Sequence, residues 1–248
     1  MKMKHISRSI YSLLLLASFS VSAQEKKADS TAVVTPPVKS DRYGIRVGVD
    51  LHRLSRSLYD DKFRGFEAVA DYRLTKKIYA AGELGTVDFT IDDDQVNFTT
   101  KGSYFKIGFD YNAYENWLDM ENMIYTGIRY GFSSFSQNLN SYTIYDKNPY
   151  FDEVTVYPNQ KYSSLTAHWA ELIGGIKAEV YDNLFLGFSV RLNILFTDKK
   201  PNNFDNLYIP GFNRTYDGSF GVGFNYTVSY FIPLYKKKIE QPEVKTKK

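Results

Sequence analysis

The sequence predicts an all-β protein, specifically an eight-stranded antiparallel up-and-down transmembrane β-barrel over residues 43–235. Three observations lead there. The chain opens with an export leader, its interior is written in long segments that alternate apolar with polar residues, and the apolar positions of those segments are free of charge.

The leader is read over residues 1–23. Lys2, Lys4 and Arg8 precede the apolar stretch Ile10 to Phe19, and Val21-Ser22-Ala23 sets small residues before Gln24, so cleavage is expected after Ala23. The apolar stretch is shorter than the roughly 20 residues a spanning helix needs. With no cysteine, the chain offers no disulfide, no thiolate metal site and no lipidated amino-terminal Cys. Loss of the leader takes away three basic residues, which brings 31 Lys and Arg level with 28 Asp and Glu and gives no reason to expect nucleic acid as a partner. Residues 24–42, with a Pro pair and no periodicity, read as a flexible periplasmic linker, and the Lys-rich residues 236–248 as a periplasmic tail.

Eight strands are expected at about Tyr43 to Leu51, Arg64 to Leu74, Ile78 to Val87, Tyr104 to Ala113, Asn122 to Ser134, Leu165 to Val180, Leu184 to Phe196 and Ser219 to Leu234. Most approach the ten tilted residues that cross a bilayer, against the five or six usual in soluble sheets. The connections after the second, fourth and sixth strands are short. Those after the first, third, fifth and seventh are longer, as in a barrel with periplasmic turns and long outer loops.

The last segment shows the two faces most plainly. Phe220, Val222, Phe224, Tyr226, Val228, Tyr230, Ile232 and Leu234 share one face, while Gly221, Gly223, Asn225, Thr227 and Ser229 share the other. In every segment the apolar face lacks charge, which suits lipid contact because a charge at the bilayer midplane costs about 2–4 kcal/mol. Tyr72, Tyr111, Phe132, Phe196, Phe220 and Tyr230 lie near strand ends and suit interfacial girdles. A soluble barrel with the apolar face inside has the same periodicity; the leader, strand length and loop alternation favour the membrane arrangement.

The opposite face carries Arg46, Asp50, Glu67, Asp71, Arg73, Glu83, Lys106, Asp110, Arg129, Glu171, Lys177, Glu179 and Arg191. Near balance of sign in a narrow lumen points to mutual ion pairs that plug it, since a selective pore favours one sign.

Several stretches taken together, "YGIRVGVDL", "RGFEAVADYRLTKKIYAAGELG", "NFTTKGSYFKIGFDYNAYENWL", "AEVYDNLFLGFSVRLN" and "NFDNLYIPGFNRTYD", resemble a family of small outer-membrane β-barrel proteins of Bacteroidota that carries only a domain-of-unknown-function label. The likeness runs from Tyr43 to Tyr235. It implies location and fold and contributes no activity. More loosely, the architecture is similar to barrels of the OmpA and OmpX type.

Candidate chemistry is sparse. An outer-rim deacylase would use His52 or His168, the latter preceded by Ser163 and Ser164 and followed by Glu171, but no His-x-Ser spacing places both side chains on one strand face. Asp60-Asp61 and Asp92-Asp93-Asp94 lack the alternating ligand spacing of a calcium loop. Tyr142, Tyr145, Tyr150, Phe151, Tyr157, Tyr162, Phe204, Tyr208 and Phe212 in the outer loops suit either partner binding or mutual packing over the barrel mouth. The expectation is a monomeric, non-enzymatic cell outer-membrane protein with no cofactor and no metal. Its partners are outer-membrane lipid and lipopolysaccharide, together with an unidentified extracellular or periplasmic protein.

Overall fold

The computed structural model describes residues 40–114, 121–144, 153–202, 205–214 and 219–238. The leader, most of the linker, residues 239–248, and Tyr145, Tyr150, Phe151 and Phe204 lie outside the described residues.

The elements in chain order are β1 (Ser40–Asp50), α1 (Leu51–Tyr59), β2 (Phe63–Arg73), β3 (Ile78–Asp92), β4 (Val96–Asn112), β5 (Met123–Ile144), β6 (Val154–Val156), β7 (Gln160–Tyr181), β8 (Leu184–Asp198) and β9 (Phe220–Lys238). Every pairing is antiparallel. Each long strand pairs with its neighbours in sequence, β5 pairs with β7, and β9 returns to β1, so eight strands close in a ring. Closure removes the free edges that an open sheet exposes. The ninth strand, β6, lies outside the ring path and pairs with the far end of β5, from Tyr142↔Val156 to Ile144↔Val154.

The connections β2–β3, β4–β5 and β7–β8 gather at one end of the ring, where both described termini also meet through Ser40↔Lys238. This turn end includes Thr75 to Lys77, tied by the Thr75 hydroxyl accepting from the Ile78 amide at 3.0 Å, and Asp182-Asn183, with Asn183 at φ 63. The opposite, loop end holds α1 and the connection from β8 to β9.

The ring differs from the sequence expectation in two ways at the loop end. One is helix α1, capped by the Asp50 carboxylate, which accepts from the His52 amide at 2.7 Å. The other is strand length. β3 runs on to Asp92, β4 begins at Val96, and β5 and β7 reach 22 residues each, so the connection after the third strand is a tight turn rather than a long loop.

The cause is an inversion of polarity along each strand. Near the turn end apolar residues point outward: Phe105, Ile107, Phe109 and Tyr111 on β4 alternate with buried Lys106 and Asp110. Beyond Phe105 the pattern reverses, with Thr99, Lys101 and Ser103 outside and Phe98 and Tyr104 inside. The same reversal places Val87 and Ile91 of β3, Phe135 and Leu139 of β5, and Leu165, Ala167 and Trp169 of β7 in the interior. Alternation persists with a period of two, so the strand continues while its wet side changes.

These inward side chains form one apolar cluster, which the β8–β9 connection completes with Tyr208, Ile209 and Phe212, all buried. The connection folds back through Ile209: its amide donates to the Asn213 carbonyl at 3.0 Å, and its own carbonyl accepts from the Phe212 amide at 3.1 Å and the Asn213 amide at 2.8 Å. Gly211, at φ 86, sits against the Tyr104 ring, where a Cβ would lie 2.6 Å from ring carbons. A side chain there is excluded both by the backbone and by the ring. Among the loop aromatics, then, Tyr208 and Phe212 pack into the mouth and Tyr162 packs against the cluster, whereas Tyr142 and Tyr157 are exposed.

Phe212 meets the Trp169 indole edge-on at 5.9 Å. Phe212→Ala is expected to lower stability by about 3–5 kcal/mol through cavity formation, read from the urea midpoint with tryptophan fluorescence as probe.

Candidate functional site

The interior below the apolar cluster is a stack of paired charges. All thirteen residues read from the sequence as facing inward do face inward, and eleven are buried, with Lys177 and Glu179 partly so. Alternation on closed strands is sufficient to place them.

At the turn end, Arg42 bridges Glu121 at 3.0 Å and Glu179 at 3.3 Å and donates to the Asn183 side chain at 2.9 Å. Arg73 donates to the Arg42 carbonyl at 2.9 Å and lies 3.6 Å from Asp41. Arg42, Asp41 and Glu121 were not singled out in the sequence, because two precede the first expected strand and the third lies in a connection.

In the middle, Asp71 accepts from Arg46 at 2.8 Å and from Lys177 at 2.6 Å, and Arg129 meets Asp110 at 2.7 Å. The guanidinium of Arg46 also lies over the rings of Tyr79 and Phe185, 5.1 and 5.0 Å from their centroids. A cavity of about 30 Å³ remains between Arg46, Glu83, Arg129 and Arg191, room for one or two water molecules.

Towards the loop end, Arg191 holds Glu83 through two contacts of 2.7 and 3.0 Å and Glu171 at 2.9 Å. Lys106, 1% exposed, sits 3.2 Å from both Glu83 and Glu171 and 3.7 Å from Glu67. Trp169 donates its indole N–H to Glu171 at 2.8 Å, and Tyr104 donates its hydroxyl to Glu67. Asn225 donates to Asp50 at 2.5 Å and to Glu67 at 2.8 Å.

One cation of this layer escaped the sequence reading. Arg53, on α1, is 6% exposed and lies 3.3 Å from Glu67 and 3.7 Å from Asp50. Within this layer it joins Lys106 and Arg191 opposite Asp50, Glu67, Glu83 and Glu171. Its signal was the helix start itself, Asp50 as cap with Arg53 three residues on, which sits in a stretch otherwise read as a loop.

Above this layer, between α1, β9 and the β8–β9 connection, lies a pocket of about 330 Å³. His52 lines it with its ring 4.7 Å from Phe224. Burial, with Arg53 and Arg56 nearby, lowers the imidazole pKa below its ordinary value, so His52 is neutral at neutral pH. His168 is elsewhere, on the outward face, its Nδ1 2.6 Å from the Tyr130 hydroxyl and its ring beside Phe132. Glu171 points to the opposite face, so the structure separates that pair. The acidic clusters have structural neighbours: Asp60 holds Arg56 at 3.0 Å, Asp92 holds Lys62 at 2.8 Å, and Asp93 meets Arg214 at 3.2 Å. Among the described residues no three metal-ligating side chains converge.

The chain belongs to the family described as Domain of unknown function (DUF6048), whose model matches residues 5–237. Searches of the curated proteins and of the solved structures found no match.

Removing one member of a buried ion pair strands its partner, at about 3–5 kcal/mol. Arg191→Met is expected to destabilise by that amount. Adding Glu83→Gln should recover part of the loss, because the two share one contact network, so a double-mutant cycle on urea midpoints should be non-additive.

Proposed function

We propose that the closed sheet is an outer-membrane β-barrel with a plugged lumen, acting without catalysis, whose loop end faces outward and binds an envelope or external partner. The observation that carries this reading is the outward band itself. The outward positions from Ile45 to Val49, Phe66 to Tyr72, Ile78 to Thr86, Phe105 to Tyr111, Ile124 to Ser134, Ala170 to Val180, Leu184 to Phe196 and Phe220 to Leu234 are uncharged, and large apolar side chains are exposed there on each of the eight ring strands, among them Val47, Phe66, Leu84, Phe109, Ile128, Leu172, Leu192 and Phe224. Exposed contiguous apolar area of this extent is unstable in water and suits hydrocarbon. A closed ring leaves no unpaired strand edge, which a bilayer core requires.

The band ends on aromatic rows. Phe105, Phe132 and His168 form one across three neighbouring strands, with ring separations of 5.4 and 4.9 Å. Tyr72 and Tyr111 stand towards the other end, in register with Ile45 and Ile78. Beyond the upper row the outward residues turn polar, so the strands rise into water while their interior becomes apolar. The export leader read from the sequence agrees with this placement.

The lumen reading rests on the ion-pair stack and the small central void. A continuous conducting path would need room for a hydrated ion, and opposite charges in alternation provide binding without selectivity. For catalysis, His52 packs against Phe224 and His168 against Tyr130 and Phe132, arrangements suited to interfacial side chains.

Gel mobility in mild SDS tests the core of this reading. Unboiled protein from the outer-membrane fraction is expected to migrate differently from boiled protein; a soluble periplasmic protein with unchanged mobility would refute it. Planar-bilayer recordings should show no conductance steps above background. His52→Ala and His168→Ala should leave the host's lipid profile unaltered, and a change in either would point to an outer-rim lipid-modifying enzyme instead.

A further inference from the structure

β1 pairs with β9 as far as Asp50↔Thr227, yet β9 runs on to Phe220, and β2 on the other side of β1 begins at Phe63. Over this last stretch a strand is missing between β2 and β9, and α1 takes its place. Two inter-strand steps of about 4.8 Å leave about 10 Å, the width of a helix with its side chains.

The two flanks of the helix are joined unequally. Towards β2, the Ser57 hydroxyl accepts from the Gly65 amide at 2.8 Å and donates to the Gly65 carbonyl at 3.1 Å, replacing a strand's bonds. Towards β9, the cap Asp50 accepts from Asn225, but among the described residues no hydrogen bond links Leu51–Tyr59 to residues 220–226; beyond the cap the contact is the His52 ring on Phe224. The 330 Å³ pocket opens on this unbonded flank.

Its walls join the inside of the ring to the outside. Gly223 and Asn225 belong to the inward face of β9, and Val222 and Phe224, 57% and 49% exposed, to the outward face. Its chemistry is lopsided. Arg53, Arg56, Lys106, Arg191 and Arg214 line it, and among the described residues Asp50 is the one lining carboxylate, because Glu67, Glu83 and Glu171 lie behind the cations they hold. Two buried polar atoms of lining residues also lack a hydrogen-bond partner, Arg191 Nε and Asn193 Oδ1.

The rim is poised to change partners. Arg56 is held flat over the rings of Phe63 and Phe89, 4.2 and 4.4 Å from their centroids, with an i,i+4 bridge to Asp60. Arg214 has a half-exposed bridge to Asp93. The exposed Arg214 bridge contributes little and the Arg56 bridge is a single i,i+4 contact, whereas phosphate accepts bidentate guanidinium donors strongly.

We propose that this side seam binds the phosphate-bearing headgroup of an outer-leaflet amphiphile, the phosphate between Arg56 and Arg214 and the acyl chain along Val222 and Phe224 outside the ring. The proposal rests on the membrane reading given above, since it needs acyl chains beside β9. The pocket's volume, about ten waters' worth, suits a glycerol phosphate or a phosphorylated sugar rather than a bare ion.

The test is native mass spectrometry of the full chain in detergent micelles titrated with phosphatidic acid, with diacylglycerol as neutral control and inorganic phosphate and glucose 6-phosphate as soluble competitors. Phosphatidic acid should bind at least tenfold more tightly than diacylglycerol, and R56Q/R214Q should erase at least tenfold of that affinity. Equal retention of diacylglycerol, or unaltered binding by R56Q/R214Q, overturns the proposal. Competition by either soluble phosphate at the same molar concentration as the lipid also overturns it, making the pocket a site for free anions. Each sample is run in parallel for its heat-dependent gel shift: a wild type that shows the shift but does not bind phosphatidic acid refutes the seam alone, a wild type without the shift refutes the membrane reading and the seam together, and R56Q/R214Q must keep the shift for its lost binding to count in favour.

Discussion

The constraint on which the structure depends is that charge enclosed by eight strands must be neutralised by protein. A ring of this size is filled by its own side chains. Lys106, buried to 1%, therefore meets three glutamates within 4 Å, and Arg191 grips two of them with both ends of its guanidinium. Such a network contributes little net stability relative to an apolar core, because desolvation offsets much of the attraction. Its effect is on uniqueness. A one-residue slip between any two strands would turn a buried charge outward into the apolar band and an apolar side chain inward, so register is held by the cost of the alternatives.

The same constraint explains why strands change character part way along. Within the outward apolar band, the interior is the polar side; once the strands rise past Phe105 and Phe132, the outside becomes polar and the interior apolar. Phe98, Phe135, Leu165 and Trp169 then build a core of the ordinary soluble kind, sealed by Phe212 and Ile209 from the β8–β9 connection. The ring thus has two outer surfaces, one apolar and one polar, and two cores on the same strands, joined where Trp169 and Tyr104 pack apolar rings upward and donate hydrogen bonds down to Glu171 and Glu67.

How much of this was legible follows from that inversion. In the band, alternation and absence of charge have one meaning, and the eight ring segments, their phases and all thirteen inward charges can be read residue by residue. Above it, segments such as "VDFTID" and "VNFTTKG" still alternate, but their apolar set faces the other way and their Thr, Asp and Lys residues look like loop, so β3 and β4 were cut short and the turn at Asp93 to Gln95 was read as a long connection. β6 was out of reach for a different reason: three residues carry no period. Arg53 was missed because "LHRLSRSLY" is a helix too short to stand alone that exists through its contacts, the Asp50 cap, the Ser57 bonds to Gly65 and the pairing with Glu67.

Why a helix at that point rather than two more residues of strand follows from the charge balance. A β1 continued past Asp50 would have set Leu51 outward and His52 inward, and Arg53 would have pointed away from Glu67. Turning at Asp50 instead lets the carboxylate cap the helix and hold Asn225, and it swings Arg53 into the interior, where Glu67 would otherwise share Lys106 with two other acids. The helix cannot reproduce a strand's hydrogen bonds on both sides. It satisfies the β2 edge with Ser57 and, past the Asp50 cap on Asn225, leaves the β9 edge to an aromatic contact, so the less bonded flank of the helix lies beside a group of cations. A structure that neutralises its interior by inserting one arginine from the wall thereby acquires a side opening at the place where that arginine entered.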